Sequence, residues 1–172
     1  MVQNYFELFD LKKSFNVDDN ALLSAYQKQI SRFHPDKFST SSESEQLQAL
    51  QNTSLINSAY STLKFPLNRA EYILNMEGIN PFDDKDTSMD SNFLLSQIEL
   101  REDLEAIKEQ KDSLALDDFI ERVESFIKDN VTSISDAFTN LADLKLATAL
   151  VRELKFYEQL NTDANSLMDE WL

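Results

Sequence analysis

Apolar residues recur at three- and four-residue steps along most of the chain, the pattern of amphipathic helices rather than strands. Leu22, Leu23, Tyr26, Ile30 and Phe33 form one stripe and predict a helix over 19–33, with an N-cap offered by Asn16-Val17-Asp18-Asp19. Ahead of it, residues 4–11 are short and aromatic, a first helix or turn that plugs a small core. Leu47, Leu50, Ile56, Ala59, Tyr60 and Leu63 predict a second long helix over 43–64. Helices joined by so short a loop pack antiparallel. Pro66 suits the first turn of a further helix to about residue 77, and Gly78 is a natural C-cap. Residues 80–90 are polar, acidic and aperiodic. Periodicity then resumes and predicts helices at about 90–112, 116–132 and 135–160, with a final turn or helix to Leu172. The expected architecture is all-α: an N-terminal helical hairpin with flanking helices over 1–76, a linker over 77–90, and an antiparallel three-helix bundle over 91–172.

Composition sharpens this picture. At 172 residues the chain can bury one good core or two small ones, and 42% hydrophobic residues suffice to fold it. One Gly and three Pro leave few sheet turns. The absence of Cys excludes disulfides, Cys-ligated zinc and Cys-bound iron–sulfur clusters. A single His cannot build a usual transition-metal or haem site, and a single Gly cannot build a Gly-rich phosphate loop. An enzyme or cofactor protein is therefore not expected, and no cofactor is expected. No apolar run approaches the length of a membrane span and the first residues carry no signal-peptide pattern, so a soluble, cytoplasmic protein is expected.

Charge divides the chain as the pattern does. Residues 1–76 carry 8 acidic and 7 basic side chains, a net −1, whereas residues 77–172 carry 23 and 9, a net −14. The overall −15 argues against nucleic acid and anionic membranes as partners. A near-neutral half joined to a strongly acidic half suggests two modules with different partners.

Two stretches carry candidate chemistry. The first is Arg32-Phe33-His34-Pro35-Asp36-Lys37-Phe38, which holds the only His. Pro35 disfavours helix at His34 and ends the preceding helix there. That displays an imidazole, a carboxylate and an ammonium on a loop between two helices. Taken alone, such a turn could simply stop a helix, and Lys28 and Arg32 could be a solvated pair of cations. The second stretch is 93–109. On a helical wheel Phe93, Gln97, Leu100, Leu104 and Ile107 cluster within about 40° of one direction, a core face. Leu94, Leu95 and Ile98 fall about 100–200° away, and Glu102, Glu105 and Glu109 continue that second face. It could pack against another part of the chain. It could equally be an apolar anchor patch beside a carboxylate rim, fitted to a partner with an apolar patch and nearby Lys or Arg. Paired carboxylates such as Glu99 and Glu102 could bind metal, but solvated charges suit an acidic helix face better.

The helix over 19–33, His34-Pro35-Asp36 and the antiparallel helix with Ile56-Asn57-Ser58-Ala59-Tyr60 resemble the J-domain, the module that activates DnaK-type chaperone ATPases. Further motifs narrow the resemblance: Pro66-Leu67-Asn68-Arg69-Ala70-Glu71-Tyr72, then Phe93-Leu94-Leu95-Ser96-Gln97-Ile98-Glu99-Leu100-Arg101-Glu102, then Val151-Arg152-Glu153-Leu154-Lys155-Phe156. Together they are similar to the HscB family, J-type co-chaperones of iron–sulfur cluster assembly, over nearly the whole chain. The resemblance implies an L-shaped molecule and no catalytic residues of its own. It implies two partners, the DnaK-type chaperone HscA and the cluster scaffold IscU, with the protein delivering IscU to HscA and stimulating the chaperone's ATP hydrolysis; a monomer is expected. His34, Pro35 and Asp36 match the ATPase-stimulating loop, with Lys28, Arg32 and Lys37 as its basic surround. Leu94, Leu95, Ile98, Glu99, Glu102 and Phe156 match the scaffold-binding surface. One departure is Ala106, where the family often carries a further acidic residue; Glu105 is the neighbouring substitute. The lack of a Gly/Phe-rich linker and of Cys argues against a general DnaJ-type protein. The rivals are a J-protein serving a different client and a helical adaptor that never meets a chaperone.

Overall fold

The computed structural model describes residues 4–83 and 89–172. Every regular element among them is helical, in the order α1 (Tyr5–Leu8), α2 (Asp19–Phe33), a 3₁₀ turn (Pro35–Phe38), α3 (Glu43–Lys64), α4 (Pro66–Met76), α5 (Ser91–Gln110), α6 (Ser113–Thr139) and α7 (Leu144–Trp171). The chain separates into two compact units, Met1–Ile73 and Leu74–Leu172, with the division inside α4.

In the first unit α2 and α3 form an antiparallel hairpin. Tyr26 stacks on Tyr60 at 4.2 Å and donates its hydroxyl to Asn57 at 2.8 Å, whereas Phe33, one end further, meets Thr53. Caps fix the helix ends. The Asp18 carboxylate accepts from the Asn20 and Ala21 N–H groups, and Ser42 and Glu45 form a reciprocal capping box at the start of α3. Leu22 on α2 and Ala49, Ile56, Ala59 and Leu63 on α3 are buried. Leu47 and Leu50, expected on the α3 stripe, are instead 55% and 58% exposed. The true seven-residue spacing of the stripe runs Ala49, Ile56, Leu63, and a small alanine at its start hides it from a reading weighted by side-chain size.

Phe6 and Phe9 are buried, and Tyr5 stacks on Tyr72 of α4 at 4.7 Å while giving its N–H to the Tyr72 hydroxyl at 3.0 Å. Arg69 ties the remaining parts together. It is only 7% exposed, donates Nη1 to the Leu63 carbonyl at 2.7 Å, and lies 4.8 Å over the Phe15 ring. That bond satisfies a carbonyl that the end of α3 would otherwise leave orphaned. Burial lowers the Arg69 pKa and the charge of Asp19 partly opposes the shift; the group stays cationic.

The second unit is an up-down-up bundle. Phe93 meets Phe156 and Tyr157, and Arg101 meets Asp163, so α5 and α7 run parallel. Asp103 pairs with Arg122, and Asn130 with Glu153, so α6 runs against both. Leu100, Leu104, Leu116, Phe119, Val123, Leu160 and Ala164 fill the shared core. The expected break near 132–135 is absent, because α6 continues to Thr139 and α7 is a single helix from Leu144. The Thr132 and Ser133 hydroxyls return to the carbonyls four residues back, so these polar residues sit within the helix without breaking it, and Ile134 is buried. The chain turns instead at 140–143, where Ala142 takes φ +47° and Asp143 caps α7.

Gly78 closes α4 at φ +77°. Of the stretch expected as a linker, residues 84–88 lie outside the described residues. The part before them is packed: Pro81 is fully buried, its carbonyl accepts from Arg152 Nε at 2.6 Å, and Lys155 stands 4.1 Å over the Phe82 ring.

Arg69→Ala removes the partner of the Leu63 carbonyl and empties the space over Phe15. It is expected to destabilise the protein by about 2–4 kcal/mol, read as a lower urea midpoint at unchanged slope.

Candidate functional site

The His34-Pro35-Asp36 turn is built from a helix end. His34 has φ −59° and ψ 132°, which stops α2, and its side chain then caps the following 3₁₀ turn. The cap is a hydrogen bond from the Asp36 N–H to His34 Nδ1 at 3.2 Å. That bond needs the Nδ1 lone pair, so the neutral ring carries its proton on Nε2. The Asp36 carboxylate lies 3.5 Å from the same Nδ1. The two roles of Nδ1 exclude each other, and the cap is the one compatible with a neutral ring. Lys37 N–H returns to the His34 carbonyl at 3.0 Å, completing a rigid turn.

Its neighbours anchor that turn. The Thr53 hydroxyl on α3 lies 3.1 Å from the Phe33 carbonyl, the last of α2, and 2.9 Å from its own Ala49 carbonyl. Gln46 donates to the Ser39 and Ser41 carbonyls at 3.2 Å each. With this support Asp36 projects into solvent, its side chain 92% exposed. Lys28, Arg32 and Lys37 are also exposed, with Arg32 lying 5.3 Å over the Phe33 ring. The turn therefore presents the Asp36 carboxylate and the Lys37 ammonium to solvent, and Lys28 and Arg32 are exposed on the helix that leads into it. Thr53 and Gln46 escaped the sequence reading, because a hydroxyl and an amide on a helix carry no signal until the opposing loop is known.

The α5 face is the second candidate. Phe93, Leu100 and Leu104 are buried, and Leu94, Leu95 and Ile98 are 42%, 58% and 56% exposed. Glu99 and Glu102 are exposed beside them. Three large apolar side chains within five residues, unburied on a helix whose other stripe already serves the core, form a patch that packing does not account for. Phe156 of α7 is half-buried and meets Phe93 edge-on at 5.8 Å. Arg101 lies 5.5 Å over the Phe156 ring and bonds Asp163 at 2.6 Å, so its cation is held by α7. Arg101 was not read as part of the site, though it stands in the same run of sequence.

Electrostatics near this face pull in two directions. The Arg101 hydrogen bond holds the Asp163 carboxyl below the usual aspartate range, an effect that Gln159 assists and partial burial opposes. Burial raises Glu153, with the Asp90 charge adding to it, and burial raises Glu158. Among the described residues no group of three or more His, Cys, Asp or Glu is placed to hold a metal, and no helix is long and apolar enough to cross a membrane.

A helical hairpin ending in an anchored His-Pro-Asp turn, followed by a three-helix bundle, defines a J-domain co-chaperone. Comparison with known proteins agrees and specifies it. Residues 89–165 match the model of the HSCB C-terminal oligomerisation domain. A co-chaperone protein HscB homolog of Aliivibrio fischeri (strain MJ11) is 40% identical over 170 residues, 98% of this chain and 99% of the relative. The solved structure of chaperone HscB from Vibrio cholerae is 36% identical with a TM-score of 0.86, covering 99% of this chain and all of that one. Human co-chaperone HscB is 29% identical with a TM-score of 0.88, covering 96% of this chain and 82% of that one. The chain belongs to the HscB family of co-chaperones.

The shifted carboxyls give opposite pH signatures. Asp163 is lowered, so the stability it contributes is present above the ordinary aspartate value and lost as pH falls through the lowered one. Glu153 is raised, so its ionised form weakens the fold as pH rises through the raised value. Asp163→Asn should lower the melting temperature at pH 7, with an effect that shrinks as pH falls below the ordinary aspartate range. Glu153→Gln should raise it at pH 7 and lose that advantage below pH 4. Thermal melts of the three proteins across this range check both signs.

Proposed function

We propose that this protein delivers the iron–sulfur scaffold IscU to the DnaK-type chaperone HscA and stimulates the chaperone's ATPase, assisting maturation of iron–sulfur proteins in the cytoplasm. It would act as a monomer without a catalytic centre of its own. The observation that carries the reading is the pairing, in one chain of this family, of an anchored His34-Pro35-Asp36 turn with an exposed Leu94/Leu95/Ile98 patch.

The turn supplies chaperone contact. Asp36, ionised and projecting, accepts an Arg of the chaperone, and Lys28, Arg32 and Lys37 meet an acidic surface around it. The bent Pro35 backbone keeps the carboxylate clear of α2 and α3. The α5 face supplies client contact. Leu94, Leu95 and Ile98, with Phe156, bury against an apolar patch of the scaffold and carry most of the affinity. Glu99 and Glu102 orient it and speed its approach. On this reading residues 1–76 serve the chaperone and 91–172 the client, with 77–90 joining them.

The two contacts are separable. Asp36→Ala should abolish ATPase stimulation, read by phosphate release from the chaperone, and leave scaffold affinity unchanged. Leu94, Leu95 and Ile98 changed together to Ala should weaken scaffold binding at least tenfold in calorimetry with an unchanged helical spectrum and melting temperature. A mutant at Asp36 that still stimulates would remove the turn from the mechanism. Failure of well-folded wild type to bind the scaffold would point to a different client.

A further inference from the structure

The client-facing side of α5 does not end at Glu102. One helical turn further stands Ala106, and there the surface sinks between α5 and α6 into a cavity of about 390 Å³. Ala106, Ile107 and Phe119 give it apolar walls. Asp103, Asp112 and Asp118, all exposed, stand at its edge. Arg122 also lines it, but it is bonded to Asp103 at 2.7 Å and lies 5.2 Å over the Phe119 ring. Asp103 is paired with Arg122 and Asp112 caps α6 by accepting from the Leu114 and Ala115 N–H groups, so Asp118 is the carboxylate that sets the charge of the edge.

Apolar walls with an anionic edge fit a long aliphatic stem that ends in a cation, which is the shape of a lysine or arginine side chain. A purely apolar group would leave the carboxylates facing it, and an acidic group would meet like charge. The same bundle of a second copy is a poor occupant, because residues 77–172 carry a net −14 and would meet like charge. We propose that the cavity receives a lysine or arginine side chain of the client bound at Leu94, Leu95 and Ile98, a step that rests on the client reading above. Ile98 and Ala106 are eight residues apart on one helix, so the client's cation lies about 12 Å from the centre of its apolar patch. The small Ala106 is what opens the cavity. A larger residue there would fill it.

The test is calorimetric titration of the full-length protein with purified, cluster-free IscU-type scaffold. Asp118→Lys is expected to weaken binding about tenfold, and Ala106→Met about threefold, with unchanged circular dichroism. Asp118→Asn, which cannot disturb α6 by adding a cation, should lose a smaller amount in the same direction. Glu124→Lys, an equal charge reversal on α6 away from the cavity, should change affinity less than twofold. Acetylating the scaffold's lysines distinguishes the two occupants: the Asp118→Lys loss disappears if a lysine enters the cavity and persists if an arginine does. If the Asp118 and Ala106 variants bind like wild type while the triple Leu94/Leu95/Ile98→Ala protein loses binding, the cavity proposal is overturned and the client reading stands. If Glu124→Lys weakens binding as much as Asp118→Lys, the effect is general charge and the proposal is likewise overturned. Wild-type protein that does not bind the scaffold overturns both.

Discussion

Every helix end must find partners for backbone groups that the helix cannot satisfy, and this chain has only one glycine with which to do it. At the N-termini short polar side chains do this, and scarcity of glycine bears only on the C-terminal ends. Asn4, Asp18, Ser42, Asp90, Asp112 and Asp143 each accept from backbone N–H groups at the start of a helix. At two further turns Lys111 and Ala142 accept the left-handed conformation that glycine would take more readily. The His34 turn belongs to this system. One imidazole stops α2 and caps the 3₁₀ turn with its Nδ1, and the Pro35 ring fixes the backbone between. The segment read as the chaperone contact is thus a helix cap first, and Asp36 projects because His34 has already satisfied the backbone around it.

That origin explains what the sequence disclosed. Caps and breakers are local signals, so α2 and the start of α4 were legible from the 16–19 cap, Pro35 and Pro66, and α3 from its apolar spacing. The two faces of α5 were legible because a helical wheel needs nothing but one helix. Where a signal depends on a neighbour, the reading weakened. Thr132 and Ser133 look like a break until their hydroxyls are seen returning to Lys128 and Asp129. Leu47 and Leu50 look like core until the α2–α3 packing selects Ala49 and Ile56 instead. The clamp of Thr53 on the end of α2, the seat of Arg101 over Phe156 and the cavity beside Ala106 all require two elements in register. Periodicity along a single element cannot report any of them.

Arginine is used differently in the two units. In the second, Arg101 bonds Asp163 across α5 and α7, Arg122 bonds Asp103 across α5 and α6, and Arg152 holds the Pro81 carbonyl. Planar guanidinium groups suit this work, since each can bond a carboxylate while lying on a ring, as Arg101 and Arg122 both do. The exposed pairs add little stability; their effect is to commit the cations to fixed places. The acidic side chains outnumber them, and the surplus is left on the surface.

The consequence is an uneven division of charge, a net −1 over residues 1–76 against −14 over 77–172. The first unit leaves Lys28, Arg32 and Lys37 exposed, together with the projecting Asp36 carboxylate. The second leaves Glu99, Glu102 and the aspartates near Ala106 exposed, with Arg101 and Arg122 already engaged. An acidic partner is attracted to the first surface and repelled by the second, and a basic partner the reverse. Attraction of this kind acts mainly on encounter and orientation, while repulsion excludes the wrong surface outright. Keeping a wrong partner off a surface depends on that second property more than on affinity. An apolar patch such as Leu94, Leu95 and Ile98 has little selectivity by itself. The carboxylates beside it decide which apolar patches can approach.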